Sequence, residues 1–202
     1  TASGKTALAV RLAYEMGGEI ISADSRQVYR GMDLGTGKDL NQYEIDEKKI
    51  NYHLIDVVDP REEFSLFDFQ KNFYQIYNDL RRKNILPVMV GGTGLYLEAV
   101  LAAYDLPFAP RDETLRKELS KKNKQELQKM LLSLKPNVHN KTDLEDPQRL
   151  IRAIEIEVAR NIEANKIYKT NIDAVVFGIR WERKILRQRI TERLRERLDQ
   201  GM

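Results

Sequence analysis

The chain has 202 residues, which is enough for one hydrophobic core with a smaller second unit. Hydrophobic residues make up 42% of it, no apolar run reaches the roughly 20 residues of a membrane span, and no signal-peptide pattern opens it. Zero cysteines exclude disulfides and thiolate metal sites, while a net charge of +3 permits a nucleic-acid partner without requiring one. We therefore expect a globular cytoplasmic protein that does not associate with membranes.

The chain opens on a phosphate-binding pattern. Residues 1–6 have the sequence TASGKT, the second half of the phosphate-loop pattern GxxxxGK[ST]. In such a loop the backbone N–H groups and the helix dipole bind an anion, Lys5 neutralises a terminal phosphate, and the Thr6 hydroxyl ligates Mg²⁺. Because the first glycine and its strand are missing, we expect a trimmed chain. A chance match is the alternative, but an apolar helical stripe follows at Leu8, Ala9, Leu12, Ala13 and Met16.

A short apolar strand at residues 19–23 ends in Asp24 and Ser25. Ligands of open α/β sheets bind outside the carboxyl ends of the strands, so both residues should lie beside the phosphate loop. The Asp24 carboxylate could bind Mg²⁺, act as a general base or cap the next element. The polar, glycine-containing segment at residues 26–38 is typical of a substrate-contacting loop, although its cations could also form a solvated surface.

Three further segments complete the predicted core. Residues 52–60 form a second candidate strand, in which His53 has no nearby second ligand and is not predicted to bind a metal. A helix begins after Ser65, where Asp68 completes a capping box. Residues 85–90 form the most strand-like run and lead into a second glycine loop. That loop should face the same cleft and offer the Thr93 hydroxyl, although glycines also serve simple turns.

The second half of the chain is predicted to be mainly helical. Residues 111–135 are charged, carry an apolar stripe and include a solvated basic turn at Lys121 to Lys124. Asp146 caps a helix that starts at Pro147. Residues 173–179 are the last candidate strand, and a basic tail follows to Gln200. That tail suits RNA, but it equally suits a salt-bridged exposed helix.

Arg149 and Arg152 are three residues apart on the helix after Pro147 and share one face. A guanidinium pair of this kind could grip phosphate. Ordinary ion pairs with Glu155 or Glu157 are the alternative.

Five ordered blocks resemble the tRNA dimethylallyltransferases, the isopentenyl transferases that modify the adenosine next to the anticodon. The blocks are TASGKT at residues 1–6, ISADSRQVYRGMDLGT at 21–36, HLID at 53–56, VGGTGLY at 90–96 and DPQRLIRAIE at 146–155. They cover nearly the whole chain, and five blocks in this order are far more specific than any one of them.

The resemblance implies an α/β fold, namely a P-loop NTPase-like parallel sheet flanked by helices, with an α-helical insertion. Residues 1–106 would form the core, 107–141 a helical insertion that contacts tRNA, and 142–202 a return to the core. The match is poor from Arg160 to Thr170. An arginine that family members use on the diphosphate is expected beyond Met202.

The implied activity is transfer of the dimethylallyl group from dimethylallyl diphosphate to N6 of adenosine 37 in tRNA. The implied catalytic residues are Asp24 as base, Thr93 near the transferred group, and Lys5 and Thr6 with Mg²⁺. The diphosphate would lie on Thr1, Ala2, Ser3, Gly4, Lys5 and Thr6. The implied tRNA contacts are Asp24, Ser25, Arg26, Gln27, Thr93, Arg116, Gln148, Arg149, Leu150, Ile151 and Arg152. The partner would be a flipped-out base of the anticodon stem-loop, and the enzyme a monomer.

Three other functions stay open at this point. An adenylate isopentenyltransferase would use the same donor with AMP or ATP as acceptor, and a small-molecule kinase would use the phosphate loop for ATP. A non-catalytic RNA-binding module would use the basic tail alone. The helical insertion and the face with Gln148, Arg149 and Arg152 favour tRNA over a free nucleotide.

Overall fold

The computed structural model describes residues 2–136, 144–160, 167, 169–199 and 201. Two compact units are present: Thr1–Tyr104 with Tyr168–Met202 form the first, and Asp105–Ile167 form the second. The sequence predicts a return to the core at residue 142, whereas the structure groups residues up to 167 with the second unit. No helix among the described residues is long and apolar enough to cross a membrane.

The first unit is built on a parallel sheet flanked by helices, which confirms the predicted α/β class. Its strands are β1 (Gly18–Ala23), β2 (Glu44–Ile45), β3 (Lys48–Lys49), β4 (Tyr52–His53) and β5 (Leu86–Gly91), and its helices are α1 (Lys5–Met16), α2 (Leu66–Arg82), α3 (Gly94–Leu101) and, in the C-terminal segment, Arg183–Asp199. The parallel sheet has the order β4-β1-β5. Ile20 of β1 is paired with Tyr52 on one side and Val88 on the other. The carboxyl ends of β1 and β5 therefore meet at one edge.

Helix α1 follows the phosphate loop directly and packs on this sheet. Gly17 ends it in the left-handed conformation, with φ of 64°. Its buried face is Ala9, Val10 and Ala13. The predicted stripe was wrong at its two ends, because Leu8 and Met16 are 53% and 60% exposed. Small residues at the contact allow the helix to approach the sheet closely.

Helices α2 and α3 cover the sheet and are set by local signals. The predicted capping box is confirmed, because Ser65 Oγ accepts from the Asp68 N–H and the Asp68 carboxylate accepts from the Ser65 N–H. The ring of Phe69 in α2 stacks on Tyr96 in α3 at 3.9 Å between centroids. Phe67, Phe69 and Phe73 of α2 are all buried, so they belong to the core.

Two predicted strands are corrected. Only Tyr52–His53 of the segment 52–60 is a strand, because Leu54 and Asp56 have φ of 63° and 56°, which breaks the extended backbone. Residues 173–179 pair with no strand among the described residues, and Val175 is 80% exposed. Apolar β-branched residues alone do not make a strand when the backbone has no partner.

The second unit is helical throughout its described residues. The predicted charged segment divides into Glu113–Leu119 (α4) and Lys124–Leu134 (α5) around the turn expected at Lys121 to Lys124, and Pro147–Arg160 forms α6. Asp146 Oδ1 accepts from the Gln148 N–H at 2.8 Å, which confirms the predicted cap. Its hydrophobic core consists of Leu119, Leu127, Leu131, Leu150, Ile151 and Ile154.

Candidate active site

A cleft of about 1000 Å³ opens in the first unit where the phosphate loop meets the ends of β1 and β5. The cleft is lined by residues from every segment that is predicted to contact the donor or the adenosine, among them Lys5, Thr6, Asp24 and Thr93. The helix Arg183–Asp199, α7, closes the same cleft with its own side chains. The prediction that the two loops share one cleft is confirmed.

The phosphate loop enters α1 through Gly4, whose φ of 84° is in the left-handed region that favours glycine. Among the described residues, no side chain caps the first turn of α1, so its N–H groups are available to an anion. Lys5 Nζ donates to Ser3 Oγ at 3.2 Å, and Thr6 is partly buried at the cleft. The predicted donor residue Thr1 lies outside the described residues.

The ends of β1 and β5 are held together by three hydrogen bonds. The Thr93 N–H donates to the Ala23 carbonyl at 3.1 Å, and the Ser25 N–H donates to Thr93 Oγ1 at 2.9 Å. Thr93 Oγ1 in turn donates to Ser25 Oγ at 3.2 Å. Gly91 is required here, since an added Cβ would lie 2.1 Å from the Ala23 carbonyl oxygen.

Asp24 lies between these loops with a partly buried carboxylate. Its Oδ1 accepts from the Arg26 N–H at 3.0 Å, which is the local turn contact that the capping interpretation expected. A carboxylate has about four acceptor positions, so this bond leaves Asp24 able to accept a proton or bind a cation. Capping and function are therefore compatible at this residue. The Arg26 side chain is exposed at the rim.

Gln27 has a different position from the one predicted. Only 8% of it is exposed, and each end of its amide has a protein partner. Oε1 accepts from Ser22 Oγ at 2.9 Å, and Nε2 donates to the Gly37 carbonyl at 3.0 Å. We therefore infer that Gln27 stabilises the wall of the cleft, whereas the sequence predicts that it contacts the bound adenosine.

Lys38 fixes the base of the same loop, a role that sequence reasoning missed. Its ammonium group donates to the Tyr29 carbonyl, to Asp33 Oδ1 at 3.1 Å and to Asp56. Burial by itself lowers the pKa of Lys38, but the bonds to Asp56 and Asp33 outweigh it and raise that pKa above its ordinary value. The loop is thus tied to the segment after β4 by a charged lysine.

The arginines of α7 are the second feature that prediction missed. Arg189, Arg193 and Arg197 repeat every four residues, so all three lie on the helix face that lines the cleft. Arg189 Nε donates to the Ala2 carbonyl at 2.9 Å, and its guanidinium lies 4.7 Å from the Trp181 ring centroid. The family arginine expected beyond Met202 stays a prediction. The four-residue spacing of the α7 arginines is visible in the sequence, but it does not by itself place them at the cleft.

Four residues of the second unit that are predicted to contact tRNA lie in its interior or form ion pairs. Leu150 and Ile151 are 0% and 4% exposed, so their side chains belong to the core of this unit, and their contacts with tRNA stay a prediction. Arg116 forms a bidentate pair with buried Glu155 at 2.6 and 2.8 Å, and Arg152 binds the same carboxylate. This confirms the ion-pair alternative for Arg152. Gln148 and Arg149, in contrast, are exposed in the first turn of α6.

Comparisons with known proteins show the family of this chain. Residues 27–202 match the family model described as IPP transferase. The chain belongs to the IPP transferase family. It is 52% identical over 202 residues to tRNA dimethylallyltransferase 1 of Geotalea daltonii and 50% identical over 204 residues to that of Syntrophus aciditrophicus. All of this chain is aligned, and it spans 64% and 67% of those relatives.

Solved structures of IPP transferases share the fold. The tRNA isopentenylpyrophosphate transferase of Bacillus halodurans matches with a TM-score of 0.59 and 33% identity, covering 100% of this chain and 64% of that one. A eukaryotic dimethylallyltransferase, captured acting on tRNA, matches with a TM-score of 0.73 at 24% identity, covering 100% of this chain and 51% of that one. The second likeness supports the fold alone.

The described residues of this family member contain no group of three His, Cys, Asp or Glu side chains that could hold a metal ion. Mg²⁺ needs fewer protein ligands, because it keeps several waters and is usually bound through one or two carboxylates together with substrate phosphates. The Thr6 hydroxyl and the Asp24 carboxylate supply oxygen donors in one cleft. The donor set therefore fits a phosphate-bound Mg²⁺.

Proposed function

We propose that the protein transfers the dimethylallyl group of dimethylallyl diphosphate to N6 of adenosine 37 in tRNA. The observation that carries the proposal is the common cleft of Asp24, Thr93 and the phosphate loop. An anion site and a carboxylate that can accept a proton are the two groups that this reaction needs. The names of the relatives, which are tRNA dimethylallyltransferases, support the same reaction.

The anion side of the cleft would hold the diphosphate as a leaving group. As the bond from C1 of the allyl group to the diphosphate oxygen breaks, both electrons go to that oxygen. Lys5, the uncapped N–H groups of α1 and Arg189 would stabilise the developing charge. Stabilisation of charge that grows in the transition state accelerates the step, whereas equal binding of the intact donor does not.

The part of the cleft at the carboxyl ends of β1 and β5 would hold the acceptor adenosine. The exocyclic N6 forms a bond to C1 and loses a proton, and Asp24 would accept that proton as general base. The Thr93 hydroxyl is hydrogen-bonded to Ser25. This contact would keep the loops after β1 and β5 at a fixed distance from each other, with the reacting atoms beside them. The products are N6-isopentenyladenosine, diphosphate and a proton on the carboxylate.

Mg²⁺ would be held by the Thr6 hydroxyl together with phosphate oxygens of the donor. When bound, it would neutralise charge on the phosphate oxygens. Lys5 and Arg189 would act on the same oxygens by direct hydrogen bonds and charge. The requirement for Mg²⁺, the monomeric state and the cytoplasmic location stay predictions.

A tRNA acceptor requires that the base leave its stack, because N6 must enter a cleft lined on several sides. Exposed polar residues then supply contacts to the rest of the RNA. Ser25 and Arg26 lie at the cleft, and Gln148 and Arg149 lie in the exposed first turn of α6. The helical unit that bears α6 is the feature that favours RNA over a free nucleotide as acceptor.

The direct test offers labelled dimethylallyl diphosphate with either an anticodon stem-loop or AMP. The proposal expects label on the stem-loop adenosine and little on AMP. Transfer to AMP alone would establish an adenylate isopentenyltransferase instead. Phosphorylation from ATP with no use of the labelled donor would establish a kinase.

A further inference from the structure

Asp39 connects the glycine-rich loop to α7 through a three-membered ion cluster. Its Oδ2 accepts from Arg193 and its Oδ1 accepts from Arg197. The three side chains are only 22% to 29% exposed, so the pairs are partly shielded from water. Shielding strengthens the interaction between charges, and Asp39 therefore competes effectively with any anion that approaches these arginines.

Arg189, Arg193 and Arg197 form an arginine row along the cleft. From Arg189 to Arg197 the helix rises about 12 Å, since each residue adds 1.5 Å. Arg189 is at the phosphate-loop end, where a Cβ added to Gly4 would lie 3.9 Å from its Nη2. Arg193 and Arg197 are near Gly37, whose added Cβ would lie 3.5 and 4.0 Å from their Nη2 atoms. The row thus runs from the phosphate loop towards the Asp39 loop.

Positive charge is unevenly compensated along that row. Among the contacts of the described residues, Arg189 is bonded to a backbone carbonyl and lies over a ring, and Lys5 is bonded to a serine hydroxyl. Neither of these partners carries charge. At the far end, one carboxylate offsets one of the two guanidinium charges. Among these contacts, the cations beside the phosphate loop have no bonded carboxylate that an anion must displace, whereas the two far arginines share Asp39.

On the basis of the proposed function, we propose that Asp39 is a specificity-determining residue that makes the cleft prefer a diphosphate to a triphosphate. A diphosphate bound on the phosphate loop meets Lys5 and Arg189. A third phosphate, extended along the row, meets arginines that are already bonded to Asp39 and meets the repulsion of that carboxylate. Asp39 would in this way favour a diphosphate donor over nucleoside triphosphates in a fold with a phosphate loop.

The test measures the Kd of inorganic pyrophosphate and of inorganic tripolyphosphate by calorimetry, for the wild-type protein and for Asp39→Asn. We expect Asp39→Asn to bind tripolyphosphate about tenfold more tightly than wild type, and pyrophosphate only severalfold more tightly. The preference for pyrophosphate over tripolyphosphate would fall accordingly. Weaker binding of both anions would overturn the proposal, because Asp39 would then serve to position the arginines.

A matched control is Glu196→Gln, which removes the same charge from a residue that lines the same cleft. Glu196 is bonded to neither Arg193 nor Arg197 in the described contacts, so we expect nearly equal changes for the two anions. An Asp39→Asn result equal to that control would also overturn the proposal, since the effect would be general charge alone.

Arg197→Gln supplies an independent variant should Asp39→Asn unfold, with folding checked by thermal melting. It removes charge at the far end, and we expect it to weaken tripolyphosphate binding more than pyrophosphate binding. Equal loss for both would contradict the proposal. Failure of the wild-type protein to bind pyrophosphate would instead contradict the proposed function, so the two failures are distinguishable.

Discussion

The Ser25 N–H donates to the Thr93 hydroxyl at 2.9 Å, although the two residues are 68 positions apart in the chain. Ser25 follows β1 and Thr93 follows β5, so this bond joins the loop that carries the proposed base to the second glycine loop. A threonine side chain thereby fixes a distance that would otherwise depend on two separate loops. The reaction geometry should be sensitive to this hydroxyl.

Thr93→Val removes the hydroxyl while it keeps the shape of the side chain. We expect kcat for prenyl transfer to fall about tenfold or more, because small misplacements of reacting groups are costly. Thr93→Ser keeps the hydroxyl and should retain most activity. Single-turnover assays with labelled donor compare the two, and equal rates for valine and serine variants would rule out the role of the bond.

Gly91 should tolerate no side chain. An added Cβ would lie 2.1 Å from the Ala23 carbonyl oxygen, so Gly91→Ala must separate β5 from β1 locally. We expect the free energy of unfolding to fall by about 1–3 kcal/mol, as for other overpacked sites. Gly92→Ala is the control, because nothing lies within 4 Å of its added Cβ. Urea denaturation of both variants measures the difference, and equal stabilities would contradict the predicted clash.

Glu155 should make the second unit sensitive to acid. Burial alone raises the pKa of Glu155, but hydrogen bonds from Arg116, the Asp112 N–H and Arg152 outweigh it, so the net pKa lies below 4.5. The stabilisation is fully present above pH 4.5 and is lost as the pH falls through the lower pKa of the folded protein. Denaturation of the wild-type protein between pH 7 and pH 3 should show this loss.

Glu155→Gln should lack that part of the pH dependence and should be less stable at neutral pH. We expect a loss of about 3 kcal/mol at pH 7, at the lower end for a broken buried ion pair because the arginines keep partial solvent access. Glu118→Gln, an exposed residue of α4, removes the same charge and should change stability little. Similar pH profiles for the two variants would contradict the assignment.

Substitutions at two nearby residues of α6 should have different effects, one on stability and the other on RNA binding. Leu150→Ala removes a fully buried side chain and should lower the free energy of unfolding by about 2–5 kcal/mol. Gln148→Ala, at an exposed position, should leave stability unchanged and weaken tRNA binding by about 1 kcal/mol. Denaturation and filter binding measure the two effects. Unchanged tRNA binding by Gln148→Ala would remove this residue from the proposed interface.

Local signals made much of the fold predictable. The phosphate loop, β1, β5 and the Ser65 capping box were all correctly predicted, because each depends on residues close together in the chain. The common cleft of Asp24 and Thr93 was predictable as well, since parallel strands bring their carboxyl ends to one edge. Bonds between distant residues, such as Ser25 with Thr93, could not be derived from these patterns.

Sequence patterns failed to predict the structure where tertiary contacts determine it. The segment after His53 looks like a strand, but the positive φ values of Leu54 and Asp56 end it. Leu150 and Ile151 lie inside a motif that resembles an RNA-binding face, yet the helix turns them into the core. The arginines of α7 enter the cleft because of how that helix packs, which spacing alone does not determine.

Asp24 is the proposed base for transfer of a dimethylallyl group to tRNA. Mass spectrometry of tRNA incubated with dimethylallyl diphosphate, Mg²⁺ and either the wild-type protein or Asp24→Ala tests it most directly. We predict isopentenylated adenosine with the wild-type protein and none with Asp24→Ala, although the variant should still bind tRNA with nearly unchanged Kd. Modification of tRNA by Asp24→Ala at the wild-type rate would show that Asp24 is not the base.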